Sequence, residues 1–190
     1  LQQLYWYGDT LSDETLPFPV HGLTTLSEIN VGVERVDPSF RFPTQLTDLY
    51  LDVSREPVDV ALLTPLTRLR TLCIKTIRDQ TPLDLSGLTA LTRIDAENAR
   101  VSRLPTSLVE CSVRLRTDTD LSPLTDLTDL TLWLGQDTQM TFPTQLRHLA
   151  IYKGTLGDSN IDDVALGSFD ASEDCPTFRK VRERLNKRTH

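Results

Sequence analysis

One template of apolar and polar positions recurs along this chain: an apolar residue, two variable ones, a second apolar residue, one variable, and a third apolar residue. Its copies are Leu1/Leu4/Trp6, Leu26/Ile29/Val31, Leu46/Leu49/Leu51, Leu69/Leu72/Ile74, Leu91/Ile94/Ala96, Leu108/Cys111/Val113, Leu127/Leu130/Leu132 and Leu146/Leu149/Ile151. Their starts lie 25, 20, 23, 22, 17, 19 and 19 residues apart. The last two apolar positions of each copy alternate with polar ones, which is the spacing of a strand buried on one face. A strand returning roughly every 20 residues predicts parallel strands stacked side by side, one from each coil of a solenoid.

The dozen or so residues between copies are rich in Pro, Asp, Thr and Ser rather than in helix formers, so turns and short 3-10 segments are expected on the return path. Two lead-ins precede the strands. One reads Phe42-Pro-Thr-Gln-Leu46, Leu104-Pro-Thr-Ser-Leu108 and Phe142-Pro-Thr-Gln-Leu146. The other reads Leu66-Thr-Arg-Leu69, Leu88-Thr-Ala-Leu91 and Leu124-Thr-Asp-Leu127, two of them after a Leu-Ser-Gly or Leu-Ser-Pro corner. Each places an apolar residue three or four positions before the strand leucine, where it fills the solenoid from the outer side. Pro43, Pro105 and Pro143 suit a bend, because proline fixes φ and donates no hydrogen bond.

On these residues the chain resembles the leucine-rich-repeat family over residues 1–152. The run Leu-Ser-Pro-Leu-Thr-Asp-Leu-Thr-Asp-Leu-Thr-Leu at 121–132 is similar to the internalin and phosphatase-regulator type. The Leu-Pro-Thr-Ser-Leu run is similar to the short bacterial-effector or amoebal type. The resemblance implies a right-handed α/β-type solenoid, a leucine-rich-repeat horseshoe with a parallel concave sheet and a mostly irregular or 3-10 convex side. It also implies recognition of another protein rather than catalysis. An alternative is the recognition or regulatory arm of a larger enzyme or complex, of ubiquitin-ligase or phosphatase type, with the catalytic part outside this chain. The family commonly carries a hydrogen-bonded ladder of Asn, but the corresponding positions here hold Ser54, Ile77 and Ala99, so those turns must satisfy their backbone groups otherwise.

Strand alternation sends the positions two, four and six after each starting apolar residue away from the core. These positions hold all four tyrosines (Tyr5, Tyr7, Tyr50, Tyr152) and Trp133, one of the two tryptophans, and none of the six phenylalanines. Aromatics with a polar handle favour surfaces that a partner covers, so this face is the candidate binding site. Sheet propensity alone is the competing explanation. The same face carries Asp48, Asp52, Asp95, Glu97 and Asp129, with Glu28 and Glu110, against Arg93, Lys75 and Arg114; His148 falls beside Asp129. A protein partner with a basic or mixed surface is the natural complement.

Charge sharpens that picture. The chain has 20 Lys and Arg against 27 Asp and Glu, a net charge of −7, and an isoelectric point near 4.9. Residues 176–190 hold six of the basic residues and a single Glu, so the preceding sequence is more acidic still, and nucleic acid is a poor partner. Three scattered cysteines, Cys73, Cys111 and Cys175, form neither a disulfide framework nor a metal-ligand motif, which points to a cytoplasmic or other reducing compartment. No apolar run approaches the roughly 20 residues of a membrane span, and no nucleophile–base pair, phosphate loop or cofactor motif is apparent. The chain is therefore read as no enzyme, with no metal or cofactor.

The opening residues already read as a core strand, so the chain is expected to begin inside a longer protein. Beyond residue 152 the spacing changes: a degenerate ninth strand is expected over 161–166 within a C-terminal cap of residues 153–190. Phe178, Val181 and Leu185 predict a helix over about 176–187, with Glu173 and Asp174 before it and basic residues toward its end, suited to cap the last coil.

Overall fold

Polar residues alternate with the recurring Leu, Ile and Val positions, and in the computed structural model those positions become the buried sides of parallel strands. The structure describes residues 2–12, 20–76, 82–115, 119–134, 138–152, 156–159 and 168–171. It is a parallel β-solenoid with almost no helix among the described residues, and it divides into two compact units, Leu1–Pro105 and Thr106–His190.

The first unit contains β1 (Gln3–Leu11), β2 (Glu28–Val36), β3 (Asp48–Val53), β4 (Thr71–Thr76), β5 (Leu83–Asp84) and β6 (Arg93–Arg103). Its main sheet runs β1-β2-β3-β4-β6, every pair parallel. Register follows the template: Leu4 lies beside Ile29, Ile29 beside Leu49, Leu49 beside Leu72, and Leu72 beside Ile94. Strand β6 serves two sheets, pairing β4 through Arg93–Asp95 and β5 through Val101 and Arg103.

The second unit contains β7 (Glu110–Leu115), β8 (Thr119–Asp120), β9 (Asp129–Leu134), β10 (Thr138–Thr141), β11 (His148–Tyr152), β12 (Leu156–Ser159) and β13 (Ser168–Ala171). Here β7, β9, β11 and β13 form one parallel ladder, and β8, β10 and β12 form another.

The core is the stack of inward positions. From the second copy of the template to the eighth, every apolar position is at most 3% exposed. In the first copy Leu4 and Trp6 are only half-buried, because β1 is the edge of its sheet with a neighbour on one side.

The return path differs from expectation. Among the described residues the 3-10 segments are Val20–Gly22 and Val60–Leu62, and other coils carry short strands where irregular structure was expected. Backbone pairing between coils explains this, since a return segment that runs beside its equivalent one coil away satisfies its polar groups with a ladder of its own. Met140 and Thr138 turn inward from β10 and add to the core.

The two lead-ins close the same turn, an amide bonded to the carbonyl three residues before it, and differ in what reaches back to the preceding coil. In Leu66-Thr-Arg-Leu69, Leu88-Thr-Ala-Leu91 and Leu124-Thr-Asp-Leu127 the second leucine's amide donates to the first leucine's carbonyl at 2.9–3.1 Å, which tightens the corner. In the Phe-Pro-Thr-Gln-Leu form the leucine amide instead donates to the proline carbonyl, at 3.1 Å in one copy and 3.3 Å in the other. Gln45 and Gln145 then reach back one coil, Gln45 Nε2 to the carbonyl of Leu23 and Gln145 Nε2 to those of Leu124 and Thr125.

A hydroxyl ladder occurs where no Asn ladder is available. Ser27, Thr47, Thr92 and Thr128 each directly follow a template leucine. Each donates its backbone N–H to one carbonyl of the preceding coil, those of Gln2, Ser27, Arg70 and Val109 respectively. Each also holds its Oγ within 3.1–3.4 Å of the same oxygen, the single hydroxyl proton of Thr47 and of Thr128 being shared with the adjacent Asp48 and Asp129 carboxylates. At Ser54 the strand ladder itself continues, with Ser54 N–H on Val33 O at 2.9 Å and Arg55 N–H on Glu34 O at 2.9 Å.

The expected strand over 161–166 and the expected helix over about 176–187 lie outside the described residues. On the side of β11 away from β9 the paired strand is Ser168–Ala171, with His148 beside Ser168.

Candidate functional site

Because β1, β2 and β3 alternate in register, their outward residues form rows across the first unit. One row is Gln3, Glu28, Asp48 and Thr71; the next is Tyr5, Asn30, Tyr50 and Cys73; the third is Tyr7, Gly32, Asp52 and Lys75. Tyr5 and Tyr7 are 55% and 72% exposed, whereas Tyr50 is half-buried between its neighbours.

Hydrogen bonds tie the first two rows together. Glu28 accepts from Gln3 Nε2 at 2.7 Å and from the Tyr5 hydroxyl at 3.3 Å. The Glu28 charge, with some desolvation, raises the pKa of the Tyr5 phenol above its ordinary value. Burial comes first at Tyr50, whose pKa is raised further by the charges of Asp48 and Glu28. Asp48 is held by the Thr47 hydroxyl at 2.7 Å. Both phenols thus stay protonated hydrogen-bond donors at neutral pH.

The third row holds the distinctive feature. A Cβ added to Gly32 would meet Tyr7 Cδ1 at 2.7 Å, closer than real side chains approach, so the tyrosine ring lies over the space that the glycine leaves. Beside it is a hollow of about 250 Å³, lined by Tyr7, Asn30, Tyr50, Asp52, Cys73 and Lys75, with Val31 and Leu51 also contributing. Sequence reading placed Tyr7, Tyr50, Asp52 and Lys75 on this face but did not single out Gly32, Asn30 or Cys73. The available signal was a glycine inside a strand pattern, which marks close approach of another group. Asp95 stands on β6 beside Cys73 and is half-buried, and Glu97 takes its place in the β6 backbone.

The remaining predicted residues belong to the second unit. Arg114 on β7 lies beside Trp133 on β9, and Trp133 lies beside Tyr152 on β11. The Trp133 and Tyr152 rings stack with centroids 5.5 Å apart and planes 24° apart. Trp133 is half-buried by such contacts, while Tyr152 remains 38% exposed. His148 Nε2 is 4.0 Å from an Asp129 carboxylate oxygen, both side chains being about half exposed, which is the geometry of a surface pair.

Other candidates are inert or lie elsewhere. Cys111 occupies a core leucine position, and burial pushes its thiol pKa far up, which removes the thiolate needed for reactivity. Cys175 lies outside the described residues. Among the described residues no group of three or more His, Cys, Asp or Glu side chains could hold a metal ion, and no helix is long and apolar enough to cross a membrane.

Neither a protein-family model nor a curated protein matches this chain.

Proposed function

We propose that this chain is a protein-interaction module that binds its partner through the outward face of its main parallel strands. The observation that carries the reading is the sorting of aromatics: among the described residues the exposed large apolar side chains are Tyr5, Tyr7 and Tyr152 with Val109, and the three tyrosines stand on the outward side of strands whose inward positions are apolar. Exposed tyrosines bring contact area with little rotamer entropy to lose and carry a polar handle at the tip. The carboxylates beside them and the net charge of −7 favour a basic or mixed protein surface over a polyanion such as nucleic acid. The leucine-rich-repeat reading, with right-handed coils, belongs to the same proposal. The repeated Leu-Thr-x-Leu and Phe-Pro-Thr-Gln-Leu lead-ins support it, as does the right-handed preference of parallel crossovers.

The test is affinity capture with the intact chain, followed by binding measurements on the purified partner. A Tyr7→Ala/Tyr50→Ala variant and a Trp133→Ala/Tyr152→Ala variant locate the contact, and loss in either supports this face. Retention of the partner at full strength by both would place the interface elsewhere.

A further inference from the structure

The hollow in the first unit carries a more specific reading, which rests on the interaction face proposed above. We propose that it receives a single arginine side chain of the partner protein, stacked on Tyr7 and ion-paired with Asp52.

Size comes first. Small-molecule sites usually enclose roughly 300–1,000 Å³. A hollow of about 250 Å³ that is open to one side suits one long side chain better than a free metabolite.

Charge comes second. The nine outward positions of β1–β3 in the three rows hold three tyrosines and three carboxylates, Glu28, Asp48 and Asp52, and no cation. Lys75 enters only on β4, where it lines the hollow beside Asp52 and competes with an incoming cation.

Geometry comes third. Adjacent strands stand about 4.8 Å apart, so Tyr7 and Asp52, separated by the Gly32 strand, have backbones roughly 10 Å apart. The Tyr7 ring spans part of that gap by lying over Gly32. A flat cation laid on the ring therefore points its edge at the Asp52 carboxylate, which is exposed and faces the hollow. Guanidinium meets both demands, because it stacks on aromatic faces and forks onto a carboxylate, whereas ammonium acts as a point charge. Asn30 and half-buried Tyr50 also line the hollow, the Asn30 amide oxygen offering a further acceptor and Tyr50 a second aromatic surface.

The probe is the peptide acetyl-Gly-Gly-Arg-Gly-Gly-amide, titrated into the isotope-labelled 190-residue chain and followed by backbone amide NMR. Lysine, citrulline and glutamate versions serve as comparisons. The arginine peptide should give saturable shifts in β1–β4, the lysine peptide should bind about tenfold more weakly, and citrulline and glutamate should give none. Asp52→Asn, at an exposed position that leaves the core untouched, should weaken arginine binding by about tenfold. Gly32→Val keeps every charge but displaces Tyr7, and should abolish the shifts while the dispersion of the other amides reports an intact fold. Lys75→Ala should strengthen binding by removing the competing cation.

Absence of saturable shifts with arginine overturns the proposal. So does arginine binding that survives both Asp52→Asn and Gly32→Val, since that is diffuse attraction to an acidic chain. Saturation of β1–β4 by the glutamate peptide overturns the arginine assignment while leaving the interaction face standing. That face falls separately, if the captured partner ignores the tyrosine and tryptophan variants.

Discussion

Three short polar corners show how single residues set local stability. Asp37, Asp84 and Asp120 each accept hydrogen bonds from the serine two positions on. Asp37 Oδ1 takes the Ser39 amide at 2.7 Å and hydroxyl at 2.6 Å, Asp84 takes those of Ser86 at 3.0 and 2.6 Å, and Asp120 takes the Ser122 amide at 2.9 Å. These bonds favour the ionised carboxylate and lower all three pKa values. A carboxyl whose folded pKa lies below its unfolded value stabilises the fold above the ordinary Asp value of about 3.9 and loses that contribution as pH falls through the folded value. Melting temperatures of the parent and of an Asp84→Asn/Asp120→Asn variant should therefore differ at pH 7 and converge as pH drops below about 4. A gap that stays constant would assign the effect to something other than ionisation. A second residue carries the opposite sign: Thr138 is 2% exposed and its hydroxyl has no hydrogen-bond partner. Thr138→Val removes that stranded group at nearly constant shape and should stabilise by about 1 kcal/mol in urea unfolding.

Elements differ in how much of their buried face is sealed. Leu72 on β4 is fully buried between β3 and β6, while Leu4 on β1 is half-exposed at the sheet edge. Leu72→Ala should cost about 2–5 kcal/mol, and Leu4→Ala markedly less, because solvent already reaches the site and little cavity is created. Equal costs in denaturant titrations would mean that β1 is covered in solution. The main strands were legible in the sequence because each buries one whole face, so alternation at Leu49/Leu51/Val53 or Leu130/Leu132/Leu134 is unbroken. The short strands of the return path were not. Thr119–Asp120 and Leu83–Asp84 are too brief to display a period, and only pairing with another coil makes them strands. The rung beside β11 carried a usable signal, since Leu166, Phe169 and Ala171 repeat the template 20 residues after Leu146, Leu149 and Ile151.

For the whole molecule, the proposed binding of a basic partner would draw on the surplus of acid for encounter more than for grip. Screening shortens from about 10 Å in 0.1 M salt to about 3 Å in 1 M, so association with a basic partner should slow as salt rises while dissociation changes little. Stopped-flow or surface-binding kinetics measure this. An association rate indifferent to salt would remove electrostatic steering from the account. The split into Leu1–Pro105 and Thr106–His190 gives each unit its own aromatic cluster, Tyr5, Tyr7 and Tyr50 in one and Trp133 with Tyr152 in the other.

The sequence alone determined which residues face inward, because a strand buried on one side must place apolar groups at every second position, and their return about every 20 residues forces coils to stack. The same alternation put the tyrosines outward. Only tertiary structure decided what they do there. Tyr7 lies over Gly32, Trp133 stacks on Tyr152, and Tyr50 sinks between its neighbours. A ring's resting place depends on the side chain one coil away, a distance of about 5 Å in space but some 20 residues along the chain, which linear pattern does not encode.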